Sequence, residues 1–112
     1  MIFIVVKFTV HPEFAEAWLP AVEPFTASTR QEHGNLWFDW SRSVDDPNQF
    51  VLLEAFEEGS AGSDHVGSAH FKAAMQLMPT MLVKTPEIVN VQVPGQGWAE
   101  MGELTVAGSD GG

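Results

Sequence analysis

Three side chains in the middle of the chain have the types and spacing for proton chemistry: Glu54, His65 and His70. Histidine titrates near neutrality and is the usual base in enzymes that work there. Glu54 stands among Val51, Leu52, Leu53, Ala55 and Phe56. Burial in such a strand raises a carboxyl pKa and suits the group to act as acid or base. The histidines belong to Asp64-His65-Val66-Gly67-Ser68-Ala69-His70-Phe71-Lys72, where a glycine-punctuated turn becomes an amphipathic helix. The chemistry is expected between this stretch and the sheet. Five positions separate the histidines, about 140° round an ideal helix. They are therefore expected on different faces, and no metal site is expected from them. Each residue also has a plainer role. His65 can be a hydrogen-bonded loop histidine, His70 a tie at the helix start, and Glu54 an ion-pair partner of Lys72, Arg42 or a histidine. His11 and His33 flank the first helix and are assigned to structure.

Composition narrows the functions. The chain has 112 residues, a length that suits one domain with one core. It carries 15 acidic and 5 basic residues, a net charge of −10. That repels nucleic acid and anionic membrane surfaces, and the scattered cations build no phosphate cradle. There is no cysteine, which removes disulfides, thiolate nucleophiles and Cys-ligated metal centres. No apolar run reaches the roughly 18 residues of a membrane span. Met1 to Val6 lacks the basic region of a signal peptide, so a cytoplasmic location is expected. With 8 Phe, 4 Trp and no Tyr, the aromatic side chains favour apolar cavities over hydroxyl-lined ones.

The elements that position these residues follow from periodicity. Ile2 to Val10 reads as a strand. A helix is expected over about 12–33, started by Pro12 and ended by Gly34, with a bend or break near Pro20 and Pro24. Asn35 to Ser43 and Gln49 to Glu57 read as antiparallel strands joined through Asp45-Asp46-Pro47-Asn48. Gly59 to Gly67 has room for one or two helical turns. Ser68 then caps a second helix with Phe71, Met75 and Met78 on its apolar stripe. Thr85 to Val93 is a fourth strand. Residues 94–112 form a glycine-rich, acidic tail whose apolar side chains are available to dock on a partner subunit.

The order β-α-β-β-α-β is that of a ferredoxin-like α+β fold with a four-stranded antiparallel sheet, here over residues 1–93. Two helices cover one face of such a sheet, so the other should be polar. The first three strands are instead apolar on both faces. Phe3, Val5, Trp37, Val51 and Leu53 would otherwise meet water, which predicts a homodimer with sheets packed face to face.

Several segments resemble one family when taken in order. They are Thr29-Arg30-Gln31-Glu32-His33-Gly34, Phe38, Asp46-Pro47-Asn48-Gln49-Phe50-Val51-Leu52-Leu53-Glu54, and His65-Val66-Gly67-Ser68-Ala69-His70-Phe71-Lys72. Together they look like the antibiotic biosynthesis monooxygenase domain, a dimeric α+β barrel. The resemblance spans about residues 1–93, and its two-histidine helical motif is the most specific part. It implies a monooxygenase acting without cofactor on a quinol or phenol. The haem-degrading branch of the family places its axial histidine near the position of Met75 and an asparagine in the first strand, where Lys7 and Phe8 stand. Haem breakdown is therefore disfavoured.

In a cofactor-free oxygenase the substrate supplies the electrons. A base removes its proton, and an apolar cavity excludes water. The expected catalytic residues are His65 first, then His70 and Glu54. Trp37, Phe38, Trp40, Phe71 and Met75 are expected to bind a small aromatic substrate, with dioxygen as co-substrate and no metal or other cofactor. Two alternatives on the same fold stay open: a non-catalytic ligand-binding or stress-response protein, and an isomerase or cyclase using the same base.

Overall fold

A computed structural model describes residues 1–95 and 97–108. Four strands, β1 (Ile2–Thr9), β2 (Asn35–Arg42), β3 (Gln49–Phe56) and β4 (Glu87–Gln92), form one antiparallel sheet in the order β2-β3-β1-β4. The helices α1 (Trp18–Arg30), α2 (Ala61–Val66) and α3 (Ala69–Leu77) supply the two crossovers. This is the ferredoxin-like α+β arrangement predicted from the pattern.

The strand alternation sorts side chains to the two faces of the sheet. Val6 and Phe8 of β1, Phe38 of β2, and Phe50 and Leu52 of β3 join Trp18, Val22 and Phe25 of α1 in the core. Trp18 and Phe38 are both fully buried. Arg30 ties the end of α1 to β2 by donating from Nε and Nη2 to the Phe38 carbonyl, at 3.0 and 2.8 Å.

One local expectation changes. The first helical segment is not broken at Pro20–Pro24. A 3₁₀ turn at Pro12–Phe14 precedes α1, which begins at Trp18 and runs through both prolines. Pro20 falls in its first turn, where an amide N–H has no intrahelical partner anyway. Pro24 lies inside the helix, and both prolines sit on its exposed side. The helical turns expected within Gly59–Gly67 form α2, and α3 follows the break at Gly67–Ser68. Ser68 caps α3 as expected, its Oγ accepting from the Phe71 N–H at 3.2 Å, and it also donates to the His65 carbonyl at 2.6 Å.

The outer face of the sheet stays apolar. Val89 and Val91 on β4 are exposed, and Phe3 packs on Trp37 at a ring separation of 6.2 Å. Trp98, from the segment after β4, rests on Trp37 at 5.3 Å. No helix among the described residues is long and apolar enough to cross a membrane.

Candidate active site

His65 sits on the last turn of α2 and is almost fully buried. Four aromatic rings surround its imidazole: Phe56 at 4.9 Å, Phe71 at 5.2 Å, Phe25 stacked at 5.7 Å and Phe38 at 6.2 Å. Such a box fixes the ring plane and keeps water from its edges. The nitrogens then have distinct partners. Nδ1 lies 2.8 Å from Oε2 of Glu32, and Nε2 lies 3.8 Å from Oε1 of Glu54. A carboxylate accepts, so Nδ1 donates to Glu32, and Nε2 is left facing Glu54 beyond hydrogen-bond distance.

Glu32 follows the C-terminal end of α1, held in a turn by its N–H bond to the Thr29 carbonyl at 3.0 Å. Its Oε2 also accepts from Nε2 of His70, the second residue of α3. The two histidines therefore converge on one carboxylate oxygen. The expected divergence of 140° fails because α2 ends at Gly67 and α3 starts on a new axis. The approach of α2 depends on Gly34. A Cβ there would lie 2.3 Å from the Cβ of Ala61, the first residue of α2.

Glu54 projects from β3 toward the helices and is 7% exposed. Burial pushes its pKa up from 4.5 to about 7, and the negative charge of Glu32 adds to the effect. It is poised to exchange a proton near neutrality.

Glu54 and His65 share one wall of a cavity of about 260 Å³. The remaining wall is apolar, with Phe25, Leu52, Phe71 and Met75 among its side chains and Ile88 toward solvent. Of the eight residues expected in the site, Glu54, His65, Phe71 and Met75 line this space. His70 does not reach it and instead holds Glu32. Trp37, Phe38 and Trp40 do not line it either. Trp37 faces the outer side of the sheet. Phe38 is sealed in the core beside His65. Trp40 packs on Phe8 and Trp18 and donates from Nε1 to Thr26 Oγ1 at 2.8 Å. Glu32 was absent from the expected set. Its one sequence signal was a place in the Thr29–Gly34 segment, which carries no periodicity that points inward.

Comparison with known proteins places the chain in a family. The profile described as "Antibiotic biosynthesis monooxygenase" matches residues 1–77. The chain belongs to the antibiotic biosynthesis monooxygenase family. Among curated proteins, "Putative monooxygenase YcnE" of Bacillus subtilis (strain 168) is 27% identical over 93 residues, 83% of this chain and 98% of that one. Among solved structures, the "Putative antibiotic biosynthesis monooxygenase from Nitrosomonas europaea" superposes with a TM-score of 0.77 at 26% identity, covering 83% of this chain and 98% of that one. Rv0793 from Mycobacterium tuberculosis superposes with a TM-score of 0.78 at 20% identity, covering 87% and 98%, and so shares the fold.

Proposed function

We propose that this family member is a cofactor-independent monooxygenase of one- or two-ring quinols. The observation that carries the reading is the pairing of His65 and Glu54 on one wall of an otherwise apolar cavity. At about 260 Å³, that cavity falls below the roughly 300–1,000 Å³ of drug-sized sites, which favours a small flat substrate. A quinol hydroxyl directed at Nε2 of His65 loses its proton there, while Glu32 stabilises the imidazolium through Nδ1. The quinolate is the reductant. It passes electrons to dioxygen, and the ring carbon and oxygen join as a peroxide. Loss of water then leaves a hydroxyquinone. One oxygen atom ends on the ring and the other in water. The substrate supplies all four electrons, so the balance needs no outside reductant.

The apolar outer face of the sheet supports a second part of this reading, a homodimer. Phe3, Val5, Trp37, Val51, Val89 and Val91 belong to that face, and a second copy presenting the same surface would cover them. The cavity lies on the opposite side of the sheet and stays open to substrate.

Oxygen uptake with a panel of one- and two-ring hydroquinones tests the function. The expected result is one dioxygen consumed per hydroxyquinone formed, without added reductant. Turnover under strict anaerobiosis would point instead to an isomerase or cyclase. Tight binding without uptake would point to a ligand-binding module.

A further inference from the structure

We infer that Glu32, His65 and His70 form a binding site for a divalent transition metal of the zinc type. One carboxylate oxygen, His65 Nδ1 and His70 Nε2 all lie within 4.8 Å of one another. Two imidazoles and one carboxylate are a donor set suited to zinc, which then keeps a fourth position for water. Three neighbouring features support the assignment.

The first is an orphan acceptor. Oε1 of Glu32 is buried without a hydrogen-bond partner, although buried carboxylate oxygens are normally paired. A cation held against this carboxylate would satisfy it.

The second is access. Glu32 and His70 are partly exposed, and Glu32 lines a cleft of about 210 Å³. Glu57, Glu58 and Asp64 line the same cleft. Glu58 is paired with the N-terminal ammonium at 3.5 Å and His33 also lines the cleft, so Glu57 and Asp64 leave an excess of negative charge. A concave surface with such an excess draws cations toward Glu32.

The third is support for the ligands. The aromatic box fixes the His65 ring, and the Ser68 hydroxyl bridges the two helices by accepting from Phe71 N–H and donating to the His65 carbonyl. Pre-set ligands of this kind lose little freedom on coordination.

The cation would lie on the side of His65 away from the cavity. Coordination there takes the Nδ1 lone pair and shifts the ring proton to Nε2. His65 then offers a donor to the cavity where it had offered a base. Zinc would thus lower the quinol oxidation proposed above. That consequence rests on the oxygenase reading, whereas the site itself does not.

Calorimetric titration of the chelator-stripped full chain with Zn²⁺ tests the site, with Mg²⁺ as competitor. Co²⁺ absorption reports the ligand geometry. The expected result is one Zn²⁺ per chain, unaffected by excess Mg²⁺, with a tetrahedral Co²⁺ spectrum. E32Q and H70A should each weaken binding by more than the roughly 10–100-fold that loss of an outer partner costs. H11A should bind as wild type, and circular dichroism checks that each variant is folded. Because E32Q and H70A are partly exposed positions, they leave the test open if the buried H65A does not fold. Zn²⁺ affinity that survives E32Q and H70A in folded protein, or Mg²⁺ that competes equally, overturns the proposal. Neither result bears on oxygen uptake by the metal-free chain.

Discussion

Glu32 and His65 lie 33 positions apart in sequence, yet the carboxylate Oε2 stands 2.8 Å from the imidazole Nδ1. This contact decides which nitrogen of His65 faces the cavity. It makes Glu32 a positioning residue that never touches substrate. In chelated buffer, E32Q should lower kcat by about 10²–10⁴-fold with little change in KM, the range seen when a base loses its orienting carboxylate. E32D should recover part of the loss. Steady-state kinetics check this. A rise in KM with kcat unchanged would assign Glu32 to substrate binding.

Gly34 sets the distance between the end of α1 and the start of α2. G34A would place a methyl group 2.3 Å from the Ala61 Cβ, so α2 must move. Overpacking of this kind costs about 1–3 kcal/mol. The move also draws His65 away from Glu32, so activity should fall with stability. A61G added to G34A should restore stability in urea melts. A G34A protein as stable as wild type would show that α2 adapts without strain.

Much of this architecture was legible in the sequence. Alternation in Ile2–Val10 and Gln49–Glu57 marked the strands, and apolar residues on both of their faces marked an uncovered sheet. Trp37 was correctly separated from Phe38 and Trp40 by the same alternation. The site was less legible because it depends on convergence. Helical arithmetic sent His65 and His70 apart, and only the break at Gly67–Ser68 reverses that. Glu32 lies just past a helix end, where no face is defined by periodicity. Phe38 and Trp40 looked suited to a cavity, but Trp18 and Phe25 of α1 fill the space above them.

Glu54 should impose a pH dependence on stability in the metal-free protein. Its folded pKa of about 7 lies above its ordinary 4.5. The folded state therefore binds this proton more tightly than the unfolded state. Its contribution is level below pH 4.5, where both states are protonated. Stability then falls as pH rises toward 7 and levels off beyond it, a loss of order 3 kcal/mol. Urea denaturation at pH 5 and pH 8, with chelator present, reads the difference. E54Q should remove most of it, and an equal slope in wild type and E54Q would contradict the burial argument.

The outer face of the sheet predicts assembly. Wild-type protein should sediment as a dimer at micromolar concentration. V89D, on the exposed outer face of β4, should give a monomer with the cavity residues in place. A wild-type monomer would show that Trp98 and the chain after β4 suffice to cover this face.

The central claim is that the Nε2 lone pair of His65 takes the substrate proton. The most direct test is initial-rate oxygen uptake with the best quinol, comparing wild type with a folded H65Q variant in chelated buffer. The account predicts a fall in kcat/KM of about 10²–10⁴-fold, the usual contribution of a positioned general base. Uptake by folded H65Q at the wild-type rate would contradict it.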